Sequence, residues 1–289
     1  MCAAARVTKK ISTYHQVIGV TSIDDELFVL LKRSGGLHWL VGRHLQDDNQ
    51  VAVYSISDYK LLRRLNLPGL KLDSNGDMTS CVLHKCLYMS DPGNSCIHRY
   101  VLASSAISKW SVPGTPYGLS VTPSGNLLVT CQDGRGRNTC RLVELSAGSG
   151  QSVREIALQS AIASPWHSSQ LTTGQYLVCH GGGSSDLHRV CVVGDDGKVT
   201  RSYGGQCGAD VGQLNNPCHL AVDMAVDKDS QFIFVADNNN NRVVLLSPTL
   251  EFVRYVIGLS SCPLRLYFHQ ATRRLFVGQW DGVVTVIHL

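Results

Sequence analysis

Residues 203–255 read YGGQCGADVGQLNNPCHLAVDMAVDKDSQFIFVADNNNNRVVLLSPTLEFVRY and contain one complete four-strand repeat. A glycine-rich connection ends at Pro217, and an apolar first strand follows. The four predicted strands are His219 to Asp223, Phe232 to Val235, Arg242 to Leu246 and Phe252 to Val256. Short strands that recur roughly every 40–50 residues are typical of a β-propeller, in which each repeat forms one blade.

Weaker copies of this unit occur along the whole chain when the repeats are aligned on the start of the first strand. Pro116, Pro165 and Pro263 then align with Pro217. The six first strands are expected to start near residues 17, 77, 116, 165, 217 and 263. The pattern therefore predicts an all-β, six-bladed propeller of four-stranded antiparallel blades, with residues 1–289 in one domain.

The last repeat ends at Leu289 after its third strand, so its fourth strand has to come from elsewhere. Residues 6–14, RVTKKISTY, form a spare segment before the first repeat. Because an unpaired strand edge is prone to aggregation, we expect this segment to complete the last blade and close the ring. The longest insertion, residues 32–50, is expected to form a loop or an extra hairpin.

The complete repeat resembles the NHL repeat. The resemblance rests on the glycine-rich approach to Pro217, the Val-Asp pair ending at Asp223, the Val-Ala-Asp ending at Asp237, and Asn241 with Arg242. It covers about a fifth of the chain well and the other repeats only in part. A similarity to the C-terminal propellers of tripartite-motif proteins implies binding of partner proteins or single-stranded RNA on the face formed by the loops.

Composition narrows the function classes. The chain has 44% hydrophobic and 17% charged residues, a globular profile, and a formal net charge of +4, which permits acidic partners. No run of about 18 apolar residues predicts a membrane span, and the N-terminus lacks the apolar core of a signal peptide. We therefore expect a cytoplasmic protein without a membrane partner.

The 11 cysteines include no Cys-x-x-Cys, which argues against a structural zinc site and favours buried, reduced thiols. The sequence also shows no RING, B-box or coiled coil, so we expect no ubiquitin transfer by this chain. His180 begins a His-Gly-Gly-Gly run similar to an esterase loop, but no Gly-x-Ser-x-Gly accompanies it. The prediction is a protein that is not an enzyme.

Loops that lead into the first strands and loops between second and third strands open on one face of a propeller. We predict ligand contacts there from residues that combine cations with aromatic rings, namely Arg135, Arg137, Trp166, His167, His219, Arg242, Arg265 and Trp280. Such a surface suits a protein hot spot, our first hypothesis, or single-stranded RNA, the alternative. A metal-dependent lyase or lactonase is a third hypothesis. Arg242 is also expected to pair with Asp237 and hold its turn.

Three residues share one alignment position near the start of the first strand: His167, His219 and Arg265. The other blades place Gly19, Thr79 and Gly118 there. Since first strands converge on the axis of a propeller, we expect the three polar side chains to meet. With no carboxylate in that position, Arg265 would repel a cation, so we predict no metal or cofactor but a weakly cationic pocket for a partner's carboxylate or phosphate.

Overall fold

Twenty-four β-strands form six antiparallel four-stranded sheets in the computed structural model, which describes residues 5–32, 49–67, 70–132, 139–182, 185–223 and 231–289. Each sheet is one blade, and the blades surround a common axis. The predicted all-β, six-bladed propeller is therefore confirmed. Residues 33–48 of the predicted insertion, together with Arg135 and Arg137, lie outside the described residues.

The strands follow the chain blade by blade after the first one. β1 (Arg6–Ser12) belongs to the sixth blade. Blades one and two consist of β2 (Gln16–Ile23), β3 (Glu26–Lys32), β4 (Gln50–Ser55), β5 (Leu61–Asn66), β6 (Met78–Cys81), β7 (Cys86–Asp91), β8 (Cys96–Val101) and β9 (Ala106–Ser111). Blades three and four consist of β10 (Thr115–Val121), β11 (Leu127–Gln132), β12 (Cys140–Leu145), β13 (Ser152–Ala157), β14 (Pro165–Gln170), β15 (Tyr176–Gly182), β16 (Ser185–Val193) and β17 (Val199–Gly205). Blades five and six consist of β18 (Pro217–Val222), β19 (Ile233–Asp237), β20 (Arg242–Leu246), β21 (Phe252–Gly258), β22 (Pro263–His269), β23 (Arg274–Gln279) and β24 (Val283–His288).

The N-terminal strand closes the ring. β1 pairs with β24 in antiparallel register, with Arg6 opposite His288 and Ser12 opposite Val283. Just beyond the strand, the Thr13 hydroxyl donates a 2.7 Å hydrogen bond to the Gly282 carbonyl. The sixth blade therefore takes its outer strand from the start of the chain, which confirms the predicted closure.

Among the described residues, the hydrophobic core forms six clusters, each between two neighbouring blades. The alternation of side chains along a strand explains this arrangement. In β3, Phe28 and Leu30 pack towards the second blade, whereas Leu27 and Val29 pack towards the sixth. A strand that is buried on both faces reads as a continuous apolar run, as the central strands of these blades do.

One innermost strand, β6, pairs with its neighbour differently from the other five, and this difference changes which residue reaches the axis. β2, β10, β14, β18 and β22 each show a register shift directly after their first paired residues. The pairing of β6 with β7 has no such shift in the described residues. The described helices are single 3-10 turns, and no helix in the described ranges is long and apolar enough to cross a membrane.

Candidate functional site

Four buried polar side chains meet at the axis of the ring. Asp77, His167, His219 and Arg265 come from the innermost segments of blades two, four, five and six, and none is more than 7% exposed. Arg265 Nε lies 3.1 Å from Asp77 Oδ1, and His219 Nε2 lies 3.4 Å from Asp77 Oδ2. The two imidazole rings stack with their centroids 3.8 Å apart. The expected meeting of His167, His219 and Arg265 is observed.

The expectation that no carboxylate shares this position is wrong. Asp77, not Thr79, is the second-blade counterpart of His219, because the Asp77 carbonyl accepts from Ser90 N whereas His219 pairs with Ala236. Ser90 and Ala236 each precede the aspartate that ends the second strand of their blade. Since β6 lacks the bulge of the other innermost strands, its axial residue comes two positions earlier in the sequence.

The Asp77 carboxylate is fully hydrogen bonded. Oδ1 accepts from the backbone N–H of Met78 at 2.8 Å, and Oδ2 accepts from that of Leu119 at 2.9 Å. His219 Nδ1 accepts from the backbone N–H of Leu266, so the proton of this ring lies on Nε2 and faces Asp77. Such a set of donors stabilises the charged form of a buried carboxyl.

Arg265 joins three blades through carbonyl oxygens. Its Nε donates to Ile18 at 3.0 Å, its Nη1 to Leu264 at 2.7 Å, and its Nη2 to Gly76 at 2.6 Å. These acceptors belong to the first blade, the sixth blade and the segment that leads into the second blade. The guanidinium is therefore committed to holding the ring together around the Asp77 charge.

Electrostatics leave the cluster without net charge near neutral pH. Burial acts to raise the pKa of Asp77, but the neighbouring His219 and Arg265 outweigh it and hold that pKa below its usual range. Burial lowers the pKa of His167 to about 3 and also lowers the pKa of His219. Both imidazoles are thus neutral, and Asp77 balances Arg265. The expected weakly cationic pocket is corrected to a neutral, ion-paired cluster.

Three of the axial residues offer potential metal ligands, but most of their ligand atoms are already engaged. Asp77, His167 and His219 each offer a ligand atom, and these atoms lie within 4.8 Å of one another. However, His167 Nε2 is bonded to the Leu119 carbonyl at 3.1 Å, and both nitrogens of His219 are engaged as described above. The Arg265 cation contacts the same carboxylate. A metal would have to displace these contacts against a fixed positive charge.

Two cavities lie on opposite sides of the axial cluster. One of about 390 Å³ opens on the loop face and is lined by Ser74, Asn75, Trp166, Asn216, Cys218, Asn238, Cys262, Leu264, Arg265 and Trp280. The other, of about 250 Å³, lies among the later residues of the innermost strands and is lined in part by Thr79, His167 and His219. Arg265 contacts the first cavity, and His167 and His219 contact the second, so the cluster lies between them. The first cavity places aromatic and amide side chains at the loop face.

The predicted loop-face residues that lie within the described ranges divide into three groups. Trp166, Trp280 and Arg265 line the cavity on the loop face, where the Trp280 side chain is 56% exposed and Trp166 donates to the Gly181 carbonyl at 2.7 Å. His167 and His219 lie deeper, at the axis.

Arg242 lies outside the lining of this cavity. Its Nε pairs with Asp237 Oδ2 at 2.6 Å, and its other nitrogens donate to the carbonyls of Ala209 and Gln213. This is the arrangement expected of a residue that holds the turn between the second and third strands. Two of the proposed arginine contacts, Arg242 and Arg265, are thus engaged within the protein.

Sequence reasoning missed the asparagines of the cavity. Asn216 directly precedes Pro217, and Asn238 begins the asparagine run after β19. Asn238 Nδ2 donates to the Pro263 carbonyl of the next blade at 3.0 Å. Their positions in the loops of the most regular repeat could have indicated a role at the loop face, but asparagine in such loops is equally typical of turns.

Comparison with known proteins supports the fold. No protein-family model matches this chain, and no curated protein matches it. A virginiamycin B lyase from Staphylococcus aureus, solved as a catalytically inactive variant with quinupristin, superposes with a TM-score of 0.62 at 9% identity over 99% of both chains. A streptogramin B lyase gives 0.62 at 11% identity over 99% of this chain and 98% of that one. A protein of unknown function from Bacteroides caccae gives 0.59 at 15% identity over 81% and 80%.

At these identities the likeness shows the fold alone. The class that the structure and the comparisons define is a six-bladed β-propeller, here with a buried polar cluster at its axis. The resemblance to NHL repeats and to tripartite-motif proteins remains one of residues in the fifth blade, because the structural neighbours are lyase propellers instead.

Proposed function

We propose that this propeller is a non-enzymatic recognition module that binds a partner polypeptide in the cavity on its loop face. The observation that carries the proposal is the exposed Trp280 beside a cavity of about 390 Å³. Tryptophan next to a concave surface is typical of the anchor residues that dominate protein interfaces. A cavity of this size accepts one or two side chains of a partner rather than a folded domain.

The polar lining supports a peptide ligand. Asn75, Asn216 and Asn238 place both donors and acceptors around the cavity, while Trp166 and Leu264 give it apolar walls. Amide side chains can satisfy the backbone N–H and C=O groups of an extended peptide, which would otherwise lose their bonds to water. RNA receives less support, because Arg242 and Arg265 are engaged in internal ion pairs.

Affinity capture from an extract of cells that express the protein tests this proposal. The wild type is compared with Trp280→Ala and with Leu83→Ala, which removes an 80% exposed apolar side chain from the turn after β6, at the other end of the innermost strands. We expect a set of proteins that survives RNase treatment, is lost with Trp280→Ala and is kept with Leu83→Ala. An unchanged set with Trp280→Ala, or loss on RNase treatment, would contradict polypeptide binding at this cavity.

A lyase activity is the second candidate, and one observation favours it: Asp77, His167 and His219 lie between two cavities on the axis of a fold that lyases share. Against it, a histidine whose pKa is about 3 is far from the value that suits a general base at neutral pH. Incubation with quinupristin, followed by chromatography, tests this candidate directly. Consumption that His219→Gln abolishes would establish an enzyme.

A further inference from the structure

A second group of potential metal ligands lies in the second blade, outside the cavity on the loop face. Asp91 ends β7, and Cys96 begins β8 directly opposite it. His98 follows two residues later, so its side chain lies on the same face of β8 as that of Cys96. His98 Nε2 lies 2.9 Å from Asp91 Oδ2 and 3.5 Å from Cys96 Sγ. The three ligand atoms lie within 4.8 Å of one another.

We propose that Asp91, Cys96 and His98 bind a Zn²⁺ ion at the turn between β7 and β8. Thiolate, imidazole and carboxylate are the three ligand types that zinc takes in proteins, and three of them leave one coordination position for water. Tetrahedral zinc separates a sulfur and a nitrogen ligand by about 3.5 Å, and a nitrogen and an oxygen ligand by about 3.3 Å. The sulfur–nitrogen distance already fits, and the nitrogen–oxygen pair needs a small opening.

The fifth blade shows why a cation belongs at this turn. There Asp237 occupies the place of Asp91, since each ends its second strand and precedes a single 3-10 turn. The residue opposite Asp237 is Arg242, which neutralises it, whereas the residue opposite Asp91 is Cys96. Asp91 is only 2% exposed, and a positive partner stabilises a buried carboxylate. Zinc bound by Cys96 and His98 supplies that charge.

The carboxylate is already held in position for this role. Asp91 Oδ1 accepts from the backbone N–H of Asn94 at 3.1 Å, and Asn94 Nδ2 donates to Oδ2 at 2.9 Å. Hydrogen bonds of this kind orient metal-binding carboxylates. Lys109 lies opposite His98 on β9 and hydrogen-bonds to the Cys96 sulfur, but its side chain is exposed, so water and salt screen its charge. The absence of a Cys-x-x-Cys motif is no obstacle, because the turn, not sequence spacing, assembles these ligands.

The fourth blade offers a matched control. Cys191 Sγ also lies 3.5 Å from an imidazole nitrogen, that of His180. Here Arg189 Nε donates to the same nitrogen at 2.8 Å. Cys191 and His180 belong to neither of the two potential metal-binding groups among the described residues. Cys191 and His180 have the same sulfur–nitrogen separation as Cys96 and His98, but an arginine takes the place of the carboxylate, so they should not bind zinc.

Zinc titration of the reduced, metal-free protein tests the proposal. A Cys207→Ser background removes a thiol that is exposed and would bind metal on its own. Calorimetry with a competing chelator should give one zinc per chain. We expect Cys96→Ser and His98→Gln each to weaken zinc binding more than about tenfold. Changing a residue that only orients a metal ligand already costs at least about tenfold in affinity, so the loss of a ligand itself should cost more. Cys191→Ser should leave binding unchanged.

Cobalt identifies the ligand type directly in the parent protein, before any ligand is changed. Co²⁺ bound to the Cys207→Ser protein should show thiolate-to-metal charge-transfer absorption, which Cys96→Ser removes and Cys191→Ser keeps. The proposal is overturned by the absence of stoichiometric zinc, or by a cobalt complex without the thiolate band. It is also overturned if binding survives Cys96→Ser and is lost in the His167→Gln, His219→Gln double variant, since the metal would then lie at the axis.

Discussion

Asp77 provides the negative charge at the axis, and the buried Arg265 depends on it. We expect Asp77→Asn to lower the free energy of unfolding by about 3–5 kcal/mol, because removing one partner of a buried ion pair leaves the other charge uncompensated. Asparagine has nearly the same shape, so loss of packing contributes little. Chemical denaturation at neutral pH measures the change.

The control is Asp58→Asn, which removes a carboxylate from an exposed ion pair with Lys60. That variant should unfold at nearly the wild-type denaturant concentration. Adding Arg265→Met to Asp77→Asn should destabilise the protein less than the sum of the two single changes, because the pair acts as a unit. Additive effects in this cycle would contradict the coupling between the two charges.

Stability should fall on acidification because the axial histidines are buried in their neutral form. The pKa of His167 is about 3 in the folded protein, against an ordinary value of 6.5. Between these values the unfolded chain binds a proton that the folded chain does not, so the free energy of unfolding decreases as the pH falls from about 6.5 towards 3. At pH 5 His167 alone accounts for a loss of about 2 kcal/mol.

Burial also lowers the pKa values of His180 and His219, so these residues likewise reduce the free energy of unfolding as the pH falls. The lowered pKa of Asp77 has the same effect at lower pH. In His167→Gln, the difference in unfolding free energy between pH 7 and pH 5 should shrink by about 2 kcal/mol. The amide still offers a donor to the Leu119 carbonyl. His288→Gln, a change at an exposed histidine, should keep the wild-type difference. An unaltered difference in His167→Gln would show that His167 does not titrate as stated.

At the scale of the strands, the close approach of blades three and four depends on a glycine. A Cβ atom on Gly118 would lie 2.5 Å from the Trp166 carbonyl oxygen and 2.5 Å from the His167 Cα. We expect Gly118→Ala to destabilise the protein by about 1–3 kcal/mol, as overpacking generally does. Gly258 serves as the control, because a Cβ there meets no atom within 4 Å and its substitution by alanine should be nearly neutral. Thermal unfolding distinguishes the two.

At the scale of the whole molecule, the ring is closed by β1. Removal of residues 1–15 should lower the melting temperature by about 5–10 °C, because Ile11 leaves the core and β24 loses its partner. The exposed β24 edge should also cause self-association, visible by size-exclusion chromatography. Removal of residues 1–4 alone spares β1 and is the control. A melting temperature unchanged by the longer deletion would contradict closure through β1.

The sequence by itself determined the ring. Strand rhythm, turn residues and the prolines before the innermost strands are local signals, and they predicted six blades and a closing N-terminal strand. Local signals suffice here because five of the six blades consist of consecutive strands, and the sixth lacks only the outer strand that β1 supplies. The same reasoning brought His167, His219 and Arg265 to the axis, since equivalent positions of a propeller converge.

Only the tertiary structure decided what these residues do. Asp77 lies in the axial cluster because β6 lacks the bulge of the other innermost strands. This moves the axial position by two residues, and an alignment of strand starts cannot detect such a shift in a repeat that matches poorly. Arg242 and Arg265 proved to be engaged within the protein. Whether an arginine binds a ligand or an internal aspartate depends on which carboxylates the folded chain brings within hydrogen-bonding distance, and residue type alone does not specify that distance.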